Sequence, residues 1–282
     1  MRRLFLQGLV ASGAMAMGLA WSATADADPL EKAKAGETIR IGFANEVPWA
    51  YPGENNEPLG FVNTIALGIL NEMGIEKIEP VVTEWGGLIP GLNANRFDVI
   101  TGGMYILGKR CENVSFSDPV GVFGDAFIVA KGNPKGIQTY QDIKGKGAVL
   151  ATGAGYNIVE VAKKEGIADS NVMQVPGPTE ILAAVKAGRA DAGGVTFFTA
   201  QNLAKQSGGE VEVTDPAKLP EWTLNWVGIA FRHSDKAFLE AFNKAQKSYI
   251  GSPAMMKAVA EYGYTESQLP GDSTTAHACA NR

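Results

Sequence analysis

Cysteine and histidine are scarce. The 282 residues hold two of each, Cys111 and Cys279, His233 and His277, with no C-x-x-C spacing, so a metal centre finds almost no ligands and no cofactor is expected. A basic cluster is lacking as well: 25 Lys and Arg stand against 30 Asp and Glu, a formal charge of −5, which argues against nucleic acid as a partner. Cysteine does not follow the apolar stretch near the start, which argues against a lipid-anchored form. What is present is a globular composition, 45% hydrophobic, with length for one large domain or two ordinary ones.

The first 27 residues differ from the rest. Arg2 and Arg3 precede an uncharged apolar run over 4–21, and SATADA follows with small residues at A-x-A spacing, the order of a cleavable export signal. An uncleaved anchor is the rival reading, since about 18 apolar residues approach the spanning minimum. The opening RRLFLQ has the look of a twin-arginine signal with Met1 in place of the usual polar residue, so the export route stays open. Loss of the leader makes the mature chain more acidic, −7 after cleavage at Ala25 or −6 when Asp26 is also lost. An oxidising compartment would then receive Cys111 and Cys279, and we expect them to be bonded to each other, pinning a loose tail beside Arg110; two free thiols are the alternative. His277, in that tail, reads as a solvated residue.

Beyond the leader, IRIGF alternates as a strand and runs into a turn-rich loop that contains Glu46, Trp49 and Tyr51. Residues 61–73 place Ile65, Ile69, Leu70 and Met73 at helical spacing, with Gly74 as a stop. Strands follow over 77–83 and 97–101, separated by a short helix opened by Trp85. The same alternation restarts after Asp125: strands over 126–130, 148–151, 172–175 and 191–196, helices from Asn157 and Thr179, then an extended segment over 224–231 and helical stripes carrying Phe238, Phe242, Met255 and Val259. Such alternation implies parallel sheets with crossover helices. The expected architecture is α/β with two lobes, residues 38–126 and 230–282 forming the first and 127–229 the second, a ligand cleft between them.

The stretch DVITGGMYILGKRCENVSFSDP reads as a buried strand that breaks at Gly102-Gly103 and a turn that gathers Tyr105, Lys109 and Arg110 at the strand's carboxyl end, where ligands sit in open α/β sheets. Arg110 can grip a carboxylate with two parallel N–H bonds or make a surface ion pair. Thr152-Gly153-Ala154-Gly155 before the helix at Asn157 either leaves backbone N–H groups for an anion or is an ordinary turn. Thr196 and Phe197 stand at another strand end.

Successive segments resemble the amino-acid-type solute-binding proteins of ABC importers, the type II periplasmic binding proteins: IRIGF, P-W-A-Y, EPLGF, EWGGLIPGL, FDVITGGM, Arg110 followed by VSFSDP, DIKGK and GRADA, in order over residues 38–265. The resemblance implies a two-lobe fold with mainly parallel sheets, hinge closure on a small solute, delivery to a membrane permease, a periplasmic location and a monomer. It also implies that Arg110 holds the ligand carboxylate and Trp49 stacks on the ligand. One position departs. Where relatives that bind free amino acids carry an Asp for the α-ammonium, this chain has Thr196, and a buried ammonium without an acid is costly.

Trp49, Trp85 and Tyr105 could instead form an aromatic box around a delocalised cation, with Glu46 taking its N–H bonds, a pattern similar to the members of that family that bind ectoine and hydroxyectoine. Gly153, Asn157, Thr196 and Phe197 would supply contacts from the second lobe. A polar amino acid is the alternative solute. A cyclohexadienyl dehydratase-like enzyme is a further alternative, weakened because Glu46 has no second proton-transfer group in the sequence around it.

Overall fold

The apolar runs and stripes form two sheets flanked by helices, in a computed structural model that describes residues 28–282. The expected leader over 1–27 lies outside the described residues. In the first sheet the spatial order is Ile78–Val82, Ile39–Phe43, Val99–Tyr105, Asn225–Phe231 and Ser115–Phe116, with Gly121–Phe123 also paired to Asn225–Phe231. In the second it is Val172–Val175, Leu150–Gly153, Ala192–Thr196, Asp125–Ala130 and Val211–Val213.

The sheets are mixed, more so than the alternation implied. In each, three strands run parallel, and the strand entered from the other lobe runs against them. The reason is topological. The parallel strands end at the cleft, so a chain arriving through the cleft starts its strand there and runs the opposite way. The crossings fall on either side of Gly124 and between Val213 and Asn225, so that Asn225–Phe231 lies wholly in the first sheet.

The helix Phe61–Glu72 buries Phe61, Val62, Ile65, Ile69 and Leu70 and packs on Lys236–Tyr249 and Pro253–Val259, which return to the first lobe. In the second lobe Pro178–Lys186 and Phe197–Gln206 bury Ile181, Val185 and Leu203 against the sheet.

Two local expectations change. The strand through Val99 does not break at Gly102-Gly103 but continues, buried, to Tyr105. Gly103 sits at φ +80°, and a Cβ there would stand 2.5 Å from Cε3 of Trp49, so its missing side chain lets the indole lie against the strand. The tail is pinned as expected and is also helical, which was not expected: Thr275–Asn281 is a helix whose cap, Thr274, accepts from the His277 N–H. Cys279 on that helix is bonded to Cys111, S–S 2.05 Å, and the Gly108 N–H donates to the Arg282 carbonyl at 2.9 Å. His277 is exposed and edges the Trp226 ring at 5.5 Å.

Candidate functional site

The loop after the Ile39–Phe43 strand folds back on itself, Glu46 and Ala50 exchanging two backbone hydrogen bonds of 2.8 and 3.0 Å. This turn aims Glu46 and Trp49 at the second lobe. On the neighbouring strand the end residue Tyr105 is followed by the one-turn helix Gly108–Cys111, whose Arg110 bends back so that Nη1 donates to the Tyr105 carbonyl at 2.9 Å. Its Nη2 crosses to the Gly155 carbonyl at 3.1 Å. Trp85 Nε1 donates to the same carbonyl at 3.2 Å, and the guanidinium lies 5.6 Å from the Trp85 ring centroid. The loop 153–156 therefore offers a carbonyl to the first lobe. Two amides of that stretch are in use within the lobe, Ala154 N donating to the Val175 carbonyl and Tyr156 N to that of Gly153.

Glu46 is buried and joins the lobes through both oxygens: Tyr156 Oη donates to Oε2 and Thr199 Oγ1 to Oε1, each at 2.6 Å. Behind it runs a relay, Trp49 Nε1 to Thr196 Oγ1 and Thr196 Oγ1 to Thr199 Oγ1, both 2.9 Å. Desolvation raises the Glu46 carboxyl, and the hydroxyls of Thr199 and Tyr156 pull it back. Burial lowers Arg110 to about 10, against Tyr105 and Asp125, so the guanidinium stays cationic at neutral pH. Tyr105, raised by burial and then by Asp125 and Glu46, stays a neutral phenol.

Seven of the nine expected ligand residues, Glu46, Trp49, Trp85, Tyr105, Arg110, Asn157 and Thr196, line one interlobe pocket. Gly153 and Phe197 stand outside its wall. Gly153 acts on the wall indirectly, since a Cβ there would lie 2.5 Å from the Tyr156 ring. Phe198, not Phe197, reaches the aromatic group of the first lobe, 6.4 Å from Trp49 and 5.4 Å from Phe123. Trp49 is a core residue as well as a wall residue, 2% exposed, with Phe61 and Phe123 at 4.8 and 4.6 Å. Trp85 is half-buried and meets Tyr156 edge-on at 5.5 Å. Among the described residues no group of three His, Cys, Asp or Glu could hold a metal ion.

The sequence profile of the bacterial extracellular solute-binding proteins, family 3, matches residues 39–264. The chain belongs to that family. A protein from Sinorhizobium fredii, the probable amino-acid ABC transporter periplasmic-binding protein y4tE, is 34% identical over 99% of this chain and 95% of its own. Among solved structures, EhuB in complex with hydroxyectoine superposes with a TM-score of 0.82 at 28% identity, covering 90% of this chain and 99% of EhuB. The ancestral amino acid-binding protein AncCDT-1, a precursor of cyclohexadienyl dehydratase, gives 0.73 at 28% identity over 83% of this chain and 99% of that one. The two-lobe type II binding-protein fold is shared throughout.

Sequence reasoning missed Tyr156, Thr199 and Asp125. Tyr156 lies inside the Gly153 to Asn157 stretch already singled out, so its ring was within reach of the argument. Thr199 and Asp125 carried no local signal.

Proposed function

We propose that the protein is the periplasmic capture component of an ABC importer, handing a compact zwitterion to the membrane permease, and that ectoine or hydroxyectoine is the solute. The observation that carries this is the acid inventory of the wall. The second lobe meets the pocket with Thr196 rather than an acid, while the first lobe brings Glu46, Trp49, Trp85, Tyr105 and Arg110 to one cavity. A cyclic amidinium needs no α-ammonium site. It can lie beside the aromatic faces and give N–H bonds to Glu46, whose ionised carboxylate has about four lone-pair sites for its two protein donors. The ligand carboxylate then takes Arg110 from the carbonyls that it now meets. The likeness to EhuB, which extends over 90% of the chain, supports this solute.

A polar amino acid is the second reading, favoured by the likeness to y4tE. Its α-ammonium would have to share Glu46 with the two hydroxyls. A thermal-shift panel of ectoine, hydroxyectoine, glycine betaine and the common amino acids separates the two, because a specific ligand raises the melting point by mass action. The largest shift is expected with an ectoine; a larger one with an amino acid replaces the solute. Turnover in a dehydratase assay would add an enzymatic function.

A further inference from the structure

The helix that carries Arg110, Gly108–Cys111, is four residues long, far below the length at which a helix holds itself in water. It nonetheless makes two contacts with the second lobe: Lys109 Nζ meets Glu160 Oε2 at 2.6 Å, and Arg110 Nη2 meets the Gly155 carbonyl at 3.1 Å. The Thr275–Asn281 helix holds it at both ends. Cys279 is bonded to Cys111, and the Gly108 N–H donates to the Arg282 carbonyl at 2.9 Å. The two backbones touch, since a Cβ at Gly108 would stand 3.0 Å from the Cys279 carbonyl oxygen and 3.3 Å from that of Arg282. The tail is itself anchored at several points. Ala278 is fully buried in the first-lobe core, and Thr275 Oγ1 donates to the Ser117 carbonyl at 2.6 Å. Arg282 Nε donates to the Leu224 carbonyl at 3.1 Å, with its guanidinium 4.9 Å from the centroid of the Trp226 ring.

We propose that Cys111 and Cys279 are positioning residues for capture: the tail helix, stapled through them to the one-turn helix, holds Arg110 ready for the solute carboxylate. An arginine side chain has rotamer freedom to lose on binding, and a backbone fixed beforehand lowers that cost. Without the bond the short helix keeps the Gly108 contact alone, and Arg110 has to be ordered by the ligand. The affinity that the staple supplies therefore passes through the guanidinium, which distinguishes it from a general gain in stability.

This inference rests on Arg110 as the carboxylate site and not on the identity of the solute. Titration calorimetry with ectoine compares the native protein with the Cys111→Ser/Cys279→Ser double variant, each with Arg110 and with Arg110→Ala, at a temperature where all four are folded. Removing the bond is expected to weaken binding about tenfold when Arg110 is present and less than about twofold in Arg110→Ala. An equal loss in both backgrounds, or no loss in the first, overturns the proposal. Should the double variant not fold, Gly108→Ala keeps the disulfide and wedges the tail away, although alanine by itself favours the helix; near-native ectoine affinity there overturns the proposal. If ectoine gives no heat, the solute assignment fails and the same proteins are titrated with L-arginine. Native affinity in Arg110→Ala alone would remove the carboxylate site instead. The positioning claim is then decided without ligand by nitrogen NMR of the arginine side chains: the Arg110 Nη signals, held by the Tyr105 and Gly155 carbonyls, are expected to become motionally averaged in the double serine variant, and unchanged signals overturn it.

Discussion

Arg110 and Trp85 share one carbonyl of the second lobe, at Gly155, and both are proposed to meet the ligand. Arg110→Ala leaves the ligand carboxylate without its charged partner and is expected to weaken binding by about 2–5 kcal/mol in calorimetry; near-native affinity would remove Arg110 from the site. The aromatics divide. Trp85 is half-buried, so Trp85→Ala should cost about 0.5–2 kcal/mol of affinity with little change in the melting point of the unliganded protein. Trp49 packs among Phe61, Phe123 and Phe198, so Trp49→Ala should cost about 3–5 kcal/mol of stability as well. From the sequence Trp49 was the residue expected to stack on the ligand and Trp85 the one with a core alternative, whereas Trp49 is the more deeply packed of the two. What distinguishes them is Gly103, whose bare Cα admits one indole to the core, and that depends on a contact across 54 positions of chain.

At the scale of elements, the strands and helices were readable because each apolar run ends in a turn signal, as Ile39–Phe43 ends at the loop of Glu46 and Phe61–Glu72 stops before Gly74. The Thr275–Asn281 helix was not, although Thr274 supplies a cap, because its apolar positions are alanines that carry almost no stripe. The antiparallel crossing strands were equally hidden: direction is set by which lobe the chain arrives from, and no residue encodes that locally. One tie between elements carries a pH signature. Asp98, 1% exposed, takes the Arg40 guanidinium through Oδ1 and Oδ2 at 2.9 and 3.1 Å, with Lys32 at 3.5 Å. Burial alone would raise its carboxyl, but the hydrogen bonds and charge of Arg40 leave it below the ordinary value. A lowered folded-state pKa adds stability above the unfolded value that disappears as pH falls through the folded one. The urea midpoint of the native protein should therefore drop on acidification below about pH 4, and Asp98→Asn should be less stable at neutral pH and flatter across that window. An unchanged acid slope in the variant would contradict this role.

For the whole molecule, the lobes are joined through side chains far apart in sequence: Tyr156 to Glu46 across 110 positions, Trp49 to Thr196 across 147 and Thr199 to Glu46 across 153. These separations explain why the first-lobe half of the site was legible and the second-lobe half only in part, with Asn157 and Thr196 expected at the pocket and Tyr156 and Thr199 missed. A strand end with Arg and aromatics announces itself, while a hydroxyl that meets an acid only when two lobes close does not. Tyr156→Phe keeps the ring and deletes one of the two donors to Glu46. We expect it to shift the unliganded protein toward a larger radius of gyration in solution scattering and to weaken solute binding by about 1.5–3 kcal/mol, the range for hydrogen bonds to charged groups. Identical scattering and affinity would show that the bond carries no closure energy.

The central claim is that one flat zwitterion is held between the lobes, its acid on Arg110 and its cation beside Glu46 and the aromatic wall. A crystal structure with ectoine bound tests it most directly. The account predicts the ligand carboxylate paired with both Nη atoms of Arg110, its ring against Trp85 and Trp49, and an N–H on Glu46. Ectoine lying outside the interlobe pocket, or turned so that its carboxylate avoids Arg110, would contradict it.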